Sequence, residues 1–158
     1  MSYSTTGKTT ALRVFELAIN LMDELDDEGS YDTEDTAEYK NRTLAILNVL
    51  RGELYPYSDT YRKSHDWEKG RRPIVKTISS FSQIIDMDDY ICQSVMPYGL
   101  AAHLLMDENP SSAGFFQQRY DELKAMLAVG MPAESEDIID IYGSSGGIEP
   151  YNEFSRWA

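Results

Sequence analysis

Few side chains in this sequence are of the kinds that bind metals or attack substrates. Two histidines, His65 and His103, and one cysteine, Cys92, lie far apart along the chain. A di-metal carboxylate site in a helical bundle needs a glutamate three residues before each histidine, and neither histidine has one. Zinc sites need three or four nitrogen, sulfur or oxygen ligands that converge on the metal. We therefore expect no metal, no cofactor and no catalytic residue.

Other patterns that resemble reactive sites are incomplete. The run Gly7-Lys8-Thr9 is similar to the end of a phosphate-binding loop, but the earlier glycine is missing and no apolar strand precedes it. Acidic clusters at 24–28 and 86–89 lack the ligand spacing of a calcium loop, so we interpret them as solvated helix ends. His103 lies in the apolar run 100–105 and Cys92 follows Ile91, which favours packing roles for both. These observations argue against an enzyme.

The overall charge restricts the partners of the chain. It has 158 residues and a net charge of −13, and its length fits one domain with a hydrophobic core. DNA binding uses lysine and arginine to neutralise phosphates, so the acidic balance disfavours it. No apolar run approaches the roughly 20 residues of a membrane helix. We expect no membrane partner and no sequence-specific binding of nucleic acid.

Periodicity and helix start and stop signals predict a mainly α, four-helix bundle-like fold. The helical stretches are expected at about residues 10–27, 33–54, from 88 onward, and 110–130. Pro97 lies within the third stretch and predicts a kink or two consecutive helices. On the second helix the expected buried residues are Ala37, Leu44, Leu47, Leu50 and Leu54. The charged Lys40 and Arg51 are not expected on that buried face.

Residues 55–86 form a predicted excursion from the helical body, either a long loop or a β-hairpin. Six basic and three acidic residues give 55–82 a net charge of +3, whereas the remainder is strongly acidic. The segment suits docking to an acidic partner or to another copy of the chain, and a solvated loop is the alternative. The residues proposed for contact between subunits are Arg62, Lys63, Trp67, Lys69, Arg71 and Arg72.

The C-terminal residues, 133–158, are predicted to form an extended docking arm that follows a helical domain at 1–132. The arm has a β-prone part, a glycine- and serine-rich hinge at 143–147 and an aromatic end. Exposed aromatic side chains favour a binding partner, and packing of the arm on its own domain is the alternative. The residues proposed for docking are Ile138, Ile139, Ile141, Tyr142, Tyr151, Phe154, Arg156 and Trp157.

Several segments, in the same order, resemble the head–tail adaptor (connector) proteins of tailed phages. Residues 96–110 read MPYGLAAHLLMDENP, and residues 113–123 read AGFFQQRYDEL. The upstream segments AINLMDEL at 18–25 and RTLAILN at 42–48 are similar to the first two helices of that family. The segment DIIDIYG at 137–143, with the final Arg156 and Trp157, is similar as well. The resemblance covers about residues 10–158 and is weakest over 55–80.

This resemblance implies a virion structural protein of the neck, which is present in the host cytoplasm during assembly. Such proteins form a homo-oligomeric ring, commonly a dodecamer, beneath the portal protein. The ring extends the DNA channel and provides a platform for the stopper or tail-completion protein. The C-terminal arm is then expected to reach the portal or a neighbouring subunit. Carboxylates at 26–28 or at 107–108 would face the channel, which DNA passes without specific binding.

An alternative function agrees with the same sequence features. The chain would be an oligomeric regulatory module, from a phage or its host, that binds a protein partner. Neither function requires a reactive pocket.

Overall fold

The computed structural model describes residues 7–24, 27–63 and 76–130, and this part of the chain is mainly helical, as predicted. The other residues, including the predicted arm at 133–158, lie outside the described part. The helices are α1 (Ala11–Met22), α2 (Glu34–Leu54), a 3-10 turn (Tyr55–Tyr57), α3 (Asp59–Lys63), α4 (Asp89–Ser94), α5 (Met96–Leu104) and α6 (Pro110–Gly130).

Capping residues and prolines in the sequence predicted most helix boundaries correctly. Thr33 caps α2 reciprocally with Thr36, and Asn109 accepts a hydrogen bond from the Ser112 amide at the start of α6. Pro97 follows a break between two consecutive helices, α4 and α5, as expected. The predicted end of the first helix near residue 27 is wrong, because α1 ends at Met22. Asp23 there adopts the left-handed conformation with φ 59° and closes the helix.

Helix α5 lies at the centre of the bundle and packs against α1, α2, α4 and α6. Its Gly99 permits close approach of α2 and α6. A Cβ atom at this position would lie 2.9 Å from the Leu50 side chain and 3.0 Å from the Tyr120 ring, closer than packed carbon atoms tolerate. Fully buried side chains around α5 include Val14, Phe15, Ile19, Leu47, Leu50, Leu54, Val95, Met96, Leu100 and Leu104.

The buried face of α2 differs from the prediction. Leu47, Leu50 and Leu54 are buried as expected, but Ala37 is exposed and Leu44 is only partly buried. Arg51, which was expected to lie off this face, is buried instead. Its burial depends on polar partners from a distant segment, which periodicity along one helix does not reveal.

One end of the bundle, here called the acidic end, combines the α1–α2 turn with the α5–α6 turn. Arg42 on α2 donates a 2.9 Å hydrogen bond to the carbonyl of His103 near the end of α5. Tyr39 on α2 donates to the Glu108 carboxylate in the α5–α6 turn. The acidic residues of these two turns and of the start of α2 are Asp23, Glu24, Asp27, Glu28, Asp32, Glu34, Asp35, Glu38, Asp107 and Glu108. Both carboxylate sets predicted for a channel therefore lie at the same end, residue 26 being outside the described part.

The opposite end, here called the extension end, contains the start of α1, the end of α2 and the residues on either side of 64–75. Helix α2 runs from the acidic end toward α3. Helix α6 also starts at the acidic end and runs parallel to α2, since its Tyr120 donates a 2.8 Å hydrogen bond to Glu53 near the end of α2. The start of α1 packs on the segment that precedes α4. Gly7, Lys63, Lys76 and Gly130 accordingly border this end.

Candidate functional site

The predicted excursion begins and ends with ordered structure. Residues 55–63 form a 3-10 turn and α3 rather than a loop, and residues 76–88 return along the bundle without forming a strand. A single isolated bridge joins Thr10 and Ile84. Residues 64–75 lie outside the described part. The side chains that hold the two ends, together with the neighbouring Asp89, form a group that we call the excursion base: Asn48, Arg51, Asp86, Asp88 and Asp89.

Arg51 holds the returning segment from inside the protein, with 1% of its surface exposed. Its guanidinium donates to the Lys76 carbonyl and lies 3.9 Å from the Asp86 carboxylate. Burial lowers the pKa of Arg51, and its Nε has no hydrogen-bond partner. A buried cation with incomplete pairing is costly, so this contact fixes position more than it adds stability.

Asn48 takes the place that a neighbouring strand would have beside Ile78. Its Nδ2 donates to the Ile78 carbonyl at 2.9 Å, and its Oδ1 accepts from the Ile78 amide at 2.8 Å. Both backbone groups of Ile78 are thus engaged by one side chain. This explains why the β-prone residue 78 is not part of a strand.

Asp88 holds the outgoing segment. Its carboxylate accepts hydrogen bonds from the Asp59 amide at 2.7 Å and from the Thr60 amide at 3.3 Å. It also accepts from the Thr60 hydroxyl at 3.0 Å. A carboxylate at free amides in the first turn of a helix stabilises that turn. The start of α3 is therefore fixed to the start of α4.

Asp89 holds the segment that precedes α1. One carboxylate oxygen accepts from the Lys8 amide at 2.7 Å, the Thr9 amide at 2.9 Å and the Thr9 hydroxyl at 2.6 Å. These hydrogen bonds, led by that of the Thr9 hydroxyl, lower the pKa of Asp89. Gly7 lies against the same turn, where a Cβ atom would overlap the Met87 carbonyl. Gly7-Lys8-Thr9 therefore serves as a packed backbone segment at this turn.

The returning segment also caps α1. Carbonyls of Gln83 and Phe81 accept from the amides of Ala11 at 3.1 Å and Leu12 at 2.9 Å. These amides have no partner within their own helix. The start of α1 and the end of the excursion thus form one unit.

The interpretation of 86–89 as solvated helix ends was incomplete, because each of its three acidic residues has a specific partner. The position of Asp88 and Asp89 at a predicted helix start was the available signal. The partners at residues 8–9, 51 and 59–60 are distant in sequence, so no local pattern indicated these contacts.

A second surface, here called the α1/α6 groove, lies where α1 and α6 border the α4–α5 junction. No pattern in the sequence indicated this groove. Its lining side chains are Leu17, Asn20, Leu21, Tyr90, Gln93, Ser94, Pro97, Tyr98, Arg119 and Leu123. None of them is a carboxylate, and Arg119 is the one charged group among them. Tyr90 is 61% exposed, so the groove presents aromatic surface to solvent.

The proposed contact residues of the sequence analysis are only partly placed. Arg62 and Lys63 lie on α3, directly after the segment that Asp88 holds. Trp67, Lys69, Arg71 and Arg72 lie outside the described residues. So do all the arm residues: Ile138, Ile139, Ile141, Tyr142, Tyr151, Phe154, Arg156 and Trp157.

Within the described residues, no group of three or more histidine, cysteine, aspartate or glutamate side chains is arranged to hold a metal ion. None of the helices described above is long and apolar enough to cross a membrane. No family model, curated protein or solved structure matches this chain.

Proposed function

We propose that this chain is a head–tail adaptor of a tailed phage, which forms a ring beneath the portal and extends the DNA channel. The observation that carries the proposal is the extension end. The polar side chains of the excursion base hold residues 59–60 and 76–78 at this end, and α6 ends there at Gly130, ahead of the predicted arm. Such an arrangement suits the binding of neighbouring subunits by the excursion and the arm.

The distribution of charge supports the same function. The acidic end lies opposite the extension end, and residues 55–82 contain six of the fourteen basic residues. Two unlike patches on one subunit allow the heterologous contacts that close a ring. Carboxylates of the acidic end would then line the channel, where they repel phosphate and favour passage of DNA.

Electron microscopy and a truncation test this proposal. The purified protein, mixed with the portal protein encoded in the same genome, should form ring-shaped particles attached to the portal. Removal of residues 143–158 should abolish attachment and leave the helical circular-dichroism signal unchanged. Attachment that survives this truncation would contradict the role of the arm.

The regulatory module is the second candidate function. It predicts a small oligomer that binds neither the portal nor DNA-filled heads. The same mixture therefore separates the two functions, because only the adaptor yields portal-bound rings.

A further inference from the structure

We propose that, before assembly, the aromatic segment Tyr151–Trp157 of each chain occupies the α1/α6 groove of the same chain. The inference deepens the proposed function, on which its regulatory meaning rests: the groove would keep the docking arm from binding until the portal or a neighbouring subunit competes for it. The docking itself is a separate physical claim.

The chemistry of the groove fits this occupant. Leu17, Leu21 and Leu123 supply aliphatic surface, and Tyr90 and Tyr98 supply ring faces or edges, which aromatic side chains pack against favourably. The segment presents Tyr151, Phe154 and Trp157 at steps of three residues. Docking would bury apolar side chains of both the groove and the segment, which is favourable in water.

The charges of the lining side chains also favour the α1/α6 groove for this segment. The segment at 148–157 contains two glutamates and one arginine, so it is repelled by most of a chain whose net charge is −13. The groove has no carboxylate among its lining residues, and it offers Arg119. Arg119 lies 3.3 Å from Glu122 on the same helix with both side chains about half exposed, a weak pair that leaves the guanidinium accessible.

The outer face of α6 extends the apolar surface toward the chain exit. Phe115, Met126 and Val129 are exposed, with Val129 at 85%, and with Arg119 and Glu122 they follow steps of three and four residues along one face. The groove residue Leu123 lies seven residues, or about 10 Å of helix, before Gly130. An arm that leaves at Gly130 is therefore close to the groove.

The tether favours the same chain over another copy. Twenty residues separate Gly130 from Tyr151, and a chain of this length spans at most about 65 Å, more than the roughly 30 Å length of α6. A short tether keeps its end at an effective concentration on the order of millimolar. Other copies at micromolar concentration compete poorly with it.

Tryptophan fluorescence tests the proposal in the full chain. The sequence has two tryptophans, so Trp67→Phe leaves Trp157 as the reporter. Trp157 should emit at a shorter wavelength than free tryptophan and be quenched several-fold less by acrylamide. Leu21→Glu, in the groove, should return both values close to those of free tryptophan. The matched control is Val49→Glu, on an exposed α2 position outside the groove, and it should change neither value.

Circular dichroism should show equal helicity for the two glutamate variants. Emission should be constant over about a hundred-fold dilution, because the contact is within one chain. A Trp157 as quenchable as free tryptophan, equal effects of the two variants, or a signal that depends on concentration would each overturn the proposal. Portal attachment is measured separately. If attachment requires residues 143–158 while Trp157 is exposed in the free chain, the docking in the groove is refuted and the adaptor function is not.

Discussion

Asp88 and Asp89 are adjacent in the sequence, yet their carboxylates hold two segments that lie far apart along the chain. Asp88 accepts from the Asp59 amide and Asp89 from the Lys8 amide, each at 2.7 Å. The start of α4 is therefore the point at which the outgoing excursion and the segment before α1 are held together. A change at either residue should affect one segment and spare the other.

Replacement of Asp89 tests its hold on the segment before α1. Asp89→Ala removes the acceptor of three hydrogen bonds and should lower the free energy of unfolding by about 1–2 kcal/mol at neutral pH. Urea denaturation measures the change. Asp107→Ala, in an exposed turn, is the control and should have little effect.

The same variant should show a specific pH dependence. The pKa of Asp89 is lowered in the folded chain, so its stabilising contribution is complete above the ordinary aspartate value of 3.8 and is lost as pH falls through the lowered folded value. The difference between the parent and Asp89→Ala should narrow below about pH 4. A difference that stays constant down to pH 2 would show that the carboxylate charge is not what holds the segment.

Two glycines on neighbouring helices should respond oppositely to alanine. Gly99→Ala places a methyl group against Leu50 and Tyr120 and should destabilise the fold by about 1–3 kcal/mol. Gly114→Ala, in α6, meets nothing within 4 Å and should stabilise it by about 0.5–1 kcal/mol. Thermal denaturation of the two variants compares the signs directly. Equal effects would refute the close packing at Gly99.

The clamp of Asn48 on Ile78 can be tested by hydrogen exchange. Asn48→Ala leaves the amide and carbonyl of Ile78 without these partners and should cost about 1–3 kcal/mol. The Ile78 amide should exchange much faster, whereas amides of α5 should change only as much as global stability does. Val49→Ala, at the next and exposed position, provides the control. An Ile78 amide that stays protected in Asn48→Ala would contradict the clamp.

Cys92 should be inert in the folded protein. The thiol is fully buried, and burial raises the pKa of Cys92 to about 12, so at pH 8 only about one molecule in ten thousand carries the thiolate. Labelling by a thiol reagent should be slow in buffer and rapid in concentrated urea. Fast labelling of the native chain would show that α4 opens readily.

The helices were largely predictable, because their signals are local. Thr33, Pro97, Asn109 and Pro110 act through the backbone within a few residues of themselves, and three predicted boundaries followed from them. The end of α1 was not predictable in this way, since Asp23 stops the helix by adopting a left-handed conformation that many residues avoid.

The candidate site was less predictable, because its contacts join distant residues. The excursion was predicted from composition, whereas Arg51 and Asn48, which hold residues 76–78, looked like ordinary positions of an amphipathic helix. The α1/α6 groove is a gap between two helices that both pack on α5. Such a gap is a property of tertiary arrangement and has no pattern along the chain.

The polarity of the helical body determines where a probe can be attached away from the extension end. The first described residue, Gly7, and the last, Gly130, both border that end. Gly29, in the α1–α2 turn, has a φ of 77° and open space around it. A fluorophore or a short epitope inserted there would report on the protein from the far side of any contact that the extension end makes.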